Sequence, residues 1–221
     1  MNLQIPQFVL FDLDGTLVDS LPGIAYSVNQ ACRIVGINAP EADLRSLLGP
    51  PIRTIFSRLL DTDDAFLLDK LQAAFRASYD GEGWRKSSCF ENVPEVLEAL
   101  KADGHRLFVV SNKPLHIATR VLQSEGILGL FEKIYTQDSR RPHYISKTEM
   151  IEGFLSDYSV FPSQCLMVGD TMDDITAAAE TQVAAAFMQH GYGEVPSDFP
   201  VTFRLRSFSD FLVCLAVEDA R

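Results

Sequence analysis

Phe8-Val9-Leu10-Phe11-Asp12-Leu13-Asp14-Gly15-Thr16 is the stretch on which the reading of this 221-residue chain turns. Four apolar residues bounded by a polar turn have the pattern of a strand buried on both faces, as in a parallel sheet. On an extended chain, residues two apart point the same way, so Asp12 and Asp14 face together, and Gly15 permits a sharp departure. Paired carboxylates at such a place are expensive. Their repulsion and desolvation must be offset by a cation, or the pair must serve as acid and nucleophile. The plain alternative is a turn in which Asp14-Gly15 only ends the strand.

Three further apolar runs, Leu107–Val110, Leu166–Val168 and Val183–Met188, have the same character, with a weaker one at Ile134-Tyr135. Between them, Val93–Ala102 and Leu115–Glu125 carry apolar residues at helical spacing and are followed by Gly104 and Gly126. This alternation predicts an α/β fold, a doubly wound, Rossmann-like parallel sheet. Residues 17–85 differ. Helix-like stretches at Ile24–Val35, Arg53–Leu60 and Ala65–Tyr79 are punctuated by Gly36, Pro40, Gly49-Pro50-Pro51 and Gly81/Gly83, with no convincing strand. The expected organisation is therefore a core of residues 1–16 and 86–221, with a small helical domain of residues 17–85 inserted after the first strand. An insertion there leaves the carboxyl edge of the sheet, where open α/β sheets bind ligands.

Composition narrows the function classes. With 19 basic against 30 acidic side chains the formal charge is −11, which argues against nucleic-acid or anionic-membrane binding. Hydrophobic residues make up 47%, enough for a real core. Cys32, Cys89, Cys165 and Cys214 lie 57, 76 and 49 positions apart, with no zinc-like spacing, and read as reduced thiols of a cytoplasmic protein. The longest apolar run, Phe211–Val217, is far below the roughly 20 residues needed to span a bilayer. Neither a secretory signal nor a GxxxxGK[ST] phosphate loop is expected.

Three further groups carry chemistry. Gly169-Asp170-Thr171-Met172-Asp173-Asp174 places acids after a core strand and at a helix start, where hard oxygens suit Mg²⁺ or merely complement the helix dipole. Ser111-Asn112-Lys113-Pro114 ends another strand, where a hydroxyl and helix N-terminal N–H groups suit phosphate or form an ordinary cap. Ser146-Lys147-Thr148-Glu149 has capping-box spacing, which puts Lys147 in a helix first turn against the macrodipole. A bound anion would account for it, as would simple solvation.

In this order, Asp12-Leu13-Asp14-Gly15-Thr16, Ser111-Asn112-Lys113, Lys147 and Gly169 to Asp174 resemble the four motifs of haloacid-dehalogenase-superfamily phosphatases. The likeness extends to the helical insertion, similar to that family's small cap. Leu17-Val18-Asp19-Ser20, Leu48-Gly49-Pro50-Pro51, Ser111 to Pro114 and Gly191-Tyr192-Gly193 look most like the phosphoglycolate phosphatase subgroup. The resemblance implies that Asp12 attacks phosphorus and Asp14 protonates the leaving oxygen and then activates water. Ser111, Asn112, Gly15, Thr16 and Lys147 would surround the phosphate. Asp12, the Asp14 carbonyl and Asp170 would bind Mg²⁺, with Asp174 a further ligand or a partner of one. Arg141, in Arg141-Pro142, is the fallback for Lys147.

From the insertion, Gly49, Pro50 and Arg53 are expected to choose the substrate, Arg53 by pairing with a carboxylate or, alternatively, as an exposed helix residue. The expectation is a Mg²⁺-dependent, monomeric or homodimeric phosphomonoesterase for a small phosphorylated metabolite, phosphoglycolate first. Nucleotides, phosphosugars and pyrophosphate stay open. A phosphomutase is a second reading, against which stands Ile24 where related mutases carry histidine. A binding protein on the same scaffold is a third. His105, His116, His143 and His190 read as surface residues, Trp84 as packing, and Arg204 and Arg206 as solvated.

Overall fold

The computed structural model describes residues 5–40, 43–211 and 213. Two compact units are present, one of Met1–Val18 with Cys89–Arg221, the other of Asp19–Ser88. The insertion thus begins at Asp19 and ends at Ser88, slightly beyond 17 and 85. The reason is local. Leu17 and Val18 are fully buried and close a tight turn onto the first strand, with N–H bonds to the Leu13 carbonyl of 2.9 and 3.0 Å. The Leu17 carbonyl then accepts from Phe90 N–H at 3.1 Å.

The core unit is an α/β Rossmann-like sheet. In chain order its strands are β1 (Phe8–Phe11), β4 (Arg106–Ser111), β5 (Lys133–Thr136), β6 (Cys165–Gly169), β7 (Ala184–Met188) and β8 (Phe203–Leu205), while the two-residue strands β2 (Val18–Asp19) and β3 (Ser88–Cys89) mark where the chain leaves and re-enters. All six core strands are parallel, in the order β5-β4-β1-β6-β7-β8. The winding therefore reverses between β1 and β6, the place where doubly wound sheets form their ligand crevice. β1, β4 and β6 are almost wholly buried, as their unbroken apolar runs require. The helices α4 (Val93–Ala102), α5 (Leu115–Ser124), α6 (Lys147–Tyr158) and α7 (Met172–Glu180) connect them. Phe8, Phe108, Tyr135 and Phe154 share one core cluster with Met150 and Ile175.

The insertion contains α1 (Leu21–Val35), α2 (Ile52–Leu60) and α3 (Ala65–Gly81). Leu68, Leu71, Phe75 and Tyr79 recur at three- and four-residue intervals on α3 and are buried, with the Phe75 and Tyr79 rings stacked at 5.4 Å. Among the described residues of the insertion, strand occurs at the β2 and β3 ends alone.

Some sequence expectations are corrected. β8 is a strand that the sequence pattern did not reveal. Its Arg204 is not a solvated surface residue: the guanidinium donates to the carbonyls of Val195, Pro196 and Phe199 at 3.2, 2.6 and 3.1 Å. Arg206 is exposed, as expected. His105 and His190 are half-buried rather than superficial, because their rings reach the carbonyls of Pro6 and Thr16. Cys32, Cys89 and Cys165 are free thiols, whereas Cys214 and most of the apolar run Phe211–Val217 lie outside the described residues. Among the described residues, no helix is long and apolar enough to cross a membrane.

Candidate active site

The site lies in the core unit, on the carboxyl ends of β1, β4 and β6. Asp12 follows β1, and its N–H donates to the Val168 carbonyl of β6 at 2.9 Å, continuing the sheet register by one residue. That register brings Asp12 level with the end of β6, which Asp170 follows. Asp174 sits in the first turn of α7 and Lys147 opens α6. One ligand oxygen each from Asp12, Asp170 and Asp174 lie within 4.8 Å of one another, and all three residues are buried.

Lys147 is buried too, 3% exposed, which decides against a solvated lysine. Its Nζ lies 3.1 Å from Asp12 Oδ1 and also bonds Asp174 Oδ1. Ser146 caps α6 by accepting from Glu149 N–H at 3.1 Å, so the helix start that holds Lys147 is fixed. The other Asp174 oxygen accepts from the Thr171 N–H and hydroxyl at 2.9 and 2.7 Å. Asp174 thus has both oxygens engaged, one of them by Lys147.

Asp170 is held by Thr16 Oγ1 at 2.9 Å and by Tyr192 N–H at 2.7 Å. The fit is tight. Gly15 has φ of +84° and a Cβ there would collide with Asp170 and the Tyr192 ring, while a Cβ on Gly191 would collide with Asp170 itself.

Electrostatics follow from the packing. Burial raises the Asp12 carboxyl well above its ordinary value; Lys147 pulls it back down, while Asp174, Asp170 and Asp14 push it further up. Burial and Asp174 likewise push Asp170 up to about 6, against its hydrogen bonds from Tyr192 and Thr16. Burial pulls Lys147 down, yet Asp12 and Asp174 outweigh it and keep the ammonium charged. Three buried carboxylates face one buried ammonium. Their excess of two negative charges, on hard oxygen donors, fits a divalent cation such as Mg²⁺.

The residues expected around the phosphate have partners within the protein. The Thr16 hydroxyl goes to Asp170, and the N–H groups of Gly15 and Thr16 close the Leu13–Val18 turn at 2.9 and 3.3 Å. In this arrangement the two residues pack against and hold Asp170, one of the three clustered acids. Asn112 donates to Asp173 at 2.9 Å, so its side chain ties the β4 end to α7, and Asp173 does more than complement a dipole. Ser111 stays buried at the end of β4, its Oγ accepting from Lys113 N–H at 3.3 Å. Arg141 is exposed, whereas Lys147 is buried among the site's acids. In the insertion, Arg53 pairs with Asp69 of α3, and Gly49, at φ +112°, precedes Pro50 in the turn before α2. Both side chains of that pair are exposed, Asp69 more than Arg53.

Lys113 Nζ donates to both oxygens of Asp14, at 2.7 and 2.8 Å. The available signal was the one that singled out Lys147. Lys113 lies just before α5, where the helix dipole opposes a cation.

A buried carboxylate, Asp12, thus stands beside a buried lysine, Lys147, at the switch point of a doubly wound sheet. The haloacid dehalogenase-like hydrolase family model matches residues 9–188, and the chain belongs to this family. It is 34% identical over 188 residues to a 5'-nucleotidase of Pseudomonas aeruginosa, covering 84% of this chain and 83% of that protein. It is 33% identical over 203 residues to a phosphoglycolate phosphatase of Vibrio vulnificus, covering 87% of each. Among solved structures, one described as a predicted phosphoglycolate phosphatase of Haemophilus somnus superposes with a TM-score of 0.82 at 30% identity, over 94% of this chain and 96% of that one. The protein is a phosphatase.

Proposed function

We propose that this phosphatase is a Mg²⁺-dependent phosphomonoesterase for a small phosphorylated metabolite, with phosphoglycolate the first substrate to test. The supporting observation is that the two carboxylates of one motif rest on different lysines. Asp12 is joined to Lys147 and Asp14 to Lys113. Such separation suits two roles. Asp12, buried and in line with the β1 end, is the nucleophile. Asp14, whose side chain is 27% exposed, is the residue that exchanges protons with the leaving oxygen and then with water.

Asp12 and Asp170 would hold Mg²⁺ with the Asp14 carbonyl, Asp174 standing behind through Lys147. When bound, the ion offsets the charge of the carboxylates and of the incoming phosphate. Lys147 and Ser111 face the phosphoryl oxygens and stabilise their charge as it redistributes. Since these core residues are all engaged in phosphoryl chemistry, discrimination among leaving groups falls to residues outside them, and we assign it to the helical insertion and its Gly49-Pro50 turn.

The test is phosphate release from phosphoglycolate, a nucleoside 5'-monophosphate, a hexose phosphate and pyrophosphate, with Mg²⁺ or EDTA, for wild type and Asp12→Asn. Metal-dependent release that peaks on phosphoglycolate and vanishes in the variant supports the whole reading. A peak on the nucleotide moves the substrate and keeps the chemistry. Full activity in EDTA, or in Asp12→Asn, overturns it.

A further inference from the structure

We propose that Lys113 is a positioning residue for Asp14, setting the direction and reach of the carboxylate that serves the leaving group. This rests on Asp14 being the acid–base residue of the proposed function. The grip is two-pronged and nearly symmetric, 2.7 Å to one oxygen and 2.8 Å to the other. One nitrogen reaching both oxygens fixes the direction in which the carboxylate faces and its distance from the protein side, where a contact to one oxygen would let it swing away.

Both ends of the pair stand on restrained backbone. Lys113 N–H is tied to Ser111 Oγ, and the residue that follows is Pro114, the N-cap of α5. Asp14 belongs to the turn closed by the Leu13 and Val18 carbonyls. The cation lies on the protein side, its side chain 5% exposed, while that of Asp14 is 27% exposed. An ammonium buried before a helix N-terminus is opposed by desolvation and by the dipole, so local stability does not account for a lysine here. The two-oxygen contact with Asp14 does.

The chemistry shows what such a grip controls. In the first half-reaction an Asp12 oxygen bonds to phosphorus and the bond from phosphorus to the leaving oxygen breaks. That oxygen keeps the electron pair and takes the Asp14 proton. In the second, a water oxygen bonds to the same phosphorus, its proton passes to Asp14, and the bond between Asp12 and phosphorus breaks. Asp14 must reach the leaving oxygen in one and water in the other. Lys113 acts in both through Asp14.

Leaving-group dependence separates this role from a structural one. The measurement is kcat/KM of the Mg²⁺-loaded enzyme on an aryl phosphate, whose phenolate leaves unaided, and on an alkyl phosphomonoester, whose alkoxide needs a proton. Wild type, Lys113→Met and Lys113→Arg are compared. General acid contributions are typically about 100-fold or more, so Lys113→Met should lower kcat/KM on the alkyl ester at least about tenfold more than on the aryl ester, with Lys113→Arg restoring part of the difference. The ratio of the two substrates on one sample does not depend on how much of a variant is folded. Equal losses on both esters, or none, overturn the assignment. A wild type that cleaves the aryl ester alone, or neither, overturns the acid–base reading of Asp14 and this inference with it.

Discussion

Lys147 Nζ lies 3.1 Å from Asp12 Oδ1, and the same ammonium bonds Asp174, so one buried cation is shared by acids from β1 and α7. Neither acid can be neutralised without altering how the other is held. Three buried carboxylates share this region with that cation, and their mutual repulsion and burial favour the protonated forms of Asp12 and Asp170.

Asp12→Asn removes one of those charges at constant shape. The metal-free variant is expected to melt at a temperature equal to or above that of wild type, because repulsion with Asp170 and Asp174 falls. Turnover is expected to drop on the order of 10⁴-fold or more, as for other removed nucleophiles. Calorimetry and phosphate release check the two halves, and a variant that melts well below wild type contradicts the charge argument.

The Asp170 carboxyl, pushed up to about 6 from an ordinary 3.8, predicts a pH dependence. Between these values the folded metal-free protein binds more protons at this group than the unfolded chain, so its contribution to stability falls as pH rises from about 4 to 6. Cation binding needs the ionised form. Mg²⁺ affinity should therefore weaken as pH drops through 6, with proton release on binding. Titration calorimetry at pH 5.5 in two buffers of different ionisation heat measures that release; identical heats would count against it.

Thr16→Val removes the 2.9 Å hydrogen bond to Asp170 while keeping the buried volume nearly constant. Loss of a group that orients a metal ligand typically costs about 10–100-fold in affinity or activity. The expected result is Mg²⁺ dependence shifted to higher concentration, with far-ultraviolet circular dichroism unchanged. A shift in saturation by phosphate ester alone would restore Thr16 to the phosphate-binding role.

Arg204→Met deletes donors to three carbonyls between Val195 and Phe199 but keeps much of the packing on Phe187. The expected loss is about 1–3 kcal/mol of stability, read as a lower melting temperature, with kcat/KM near wild type at low temperature.

How legible the molecule was depends on distance along the chain. β1, β4 and β6 could be read because strands buried on both faces show as unbroken apolar runs, and the acids behind Phe11 and Gly169 could be read because charge at a buried strand end needs a reason. Lys147 stood out by a local conflict with its helix dipole. β8 did not, since Phe203-Arg204-Leu205 is short and centred on an arginine whose partners lie in the preceding loop. Nor did the use of Thr16, whose hydroxyl meets Asp170 across 154 positions, or of Lys113, whose partner Asp14 is 99 positions away.

By itself the sequence determined the alternation of strands and helices, the place of the insertion and the acids at the strand ends, because period, burial and local charge cost act over a few residues. Only the tertiary structure decided which cation serves which carboxylate. Strand order and register place β1 beside both β4 and β6, and hydrogen bonding at about 3 Å is settled by that proximity and by no property of the separate segments.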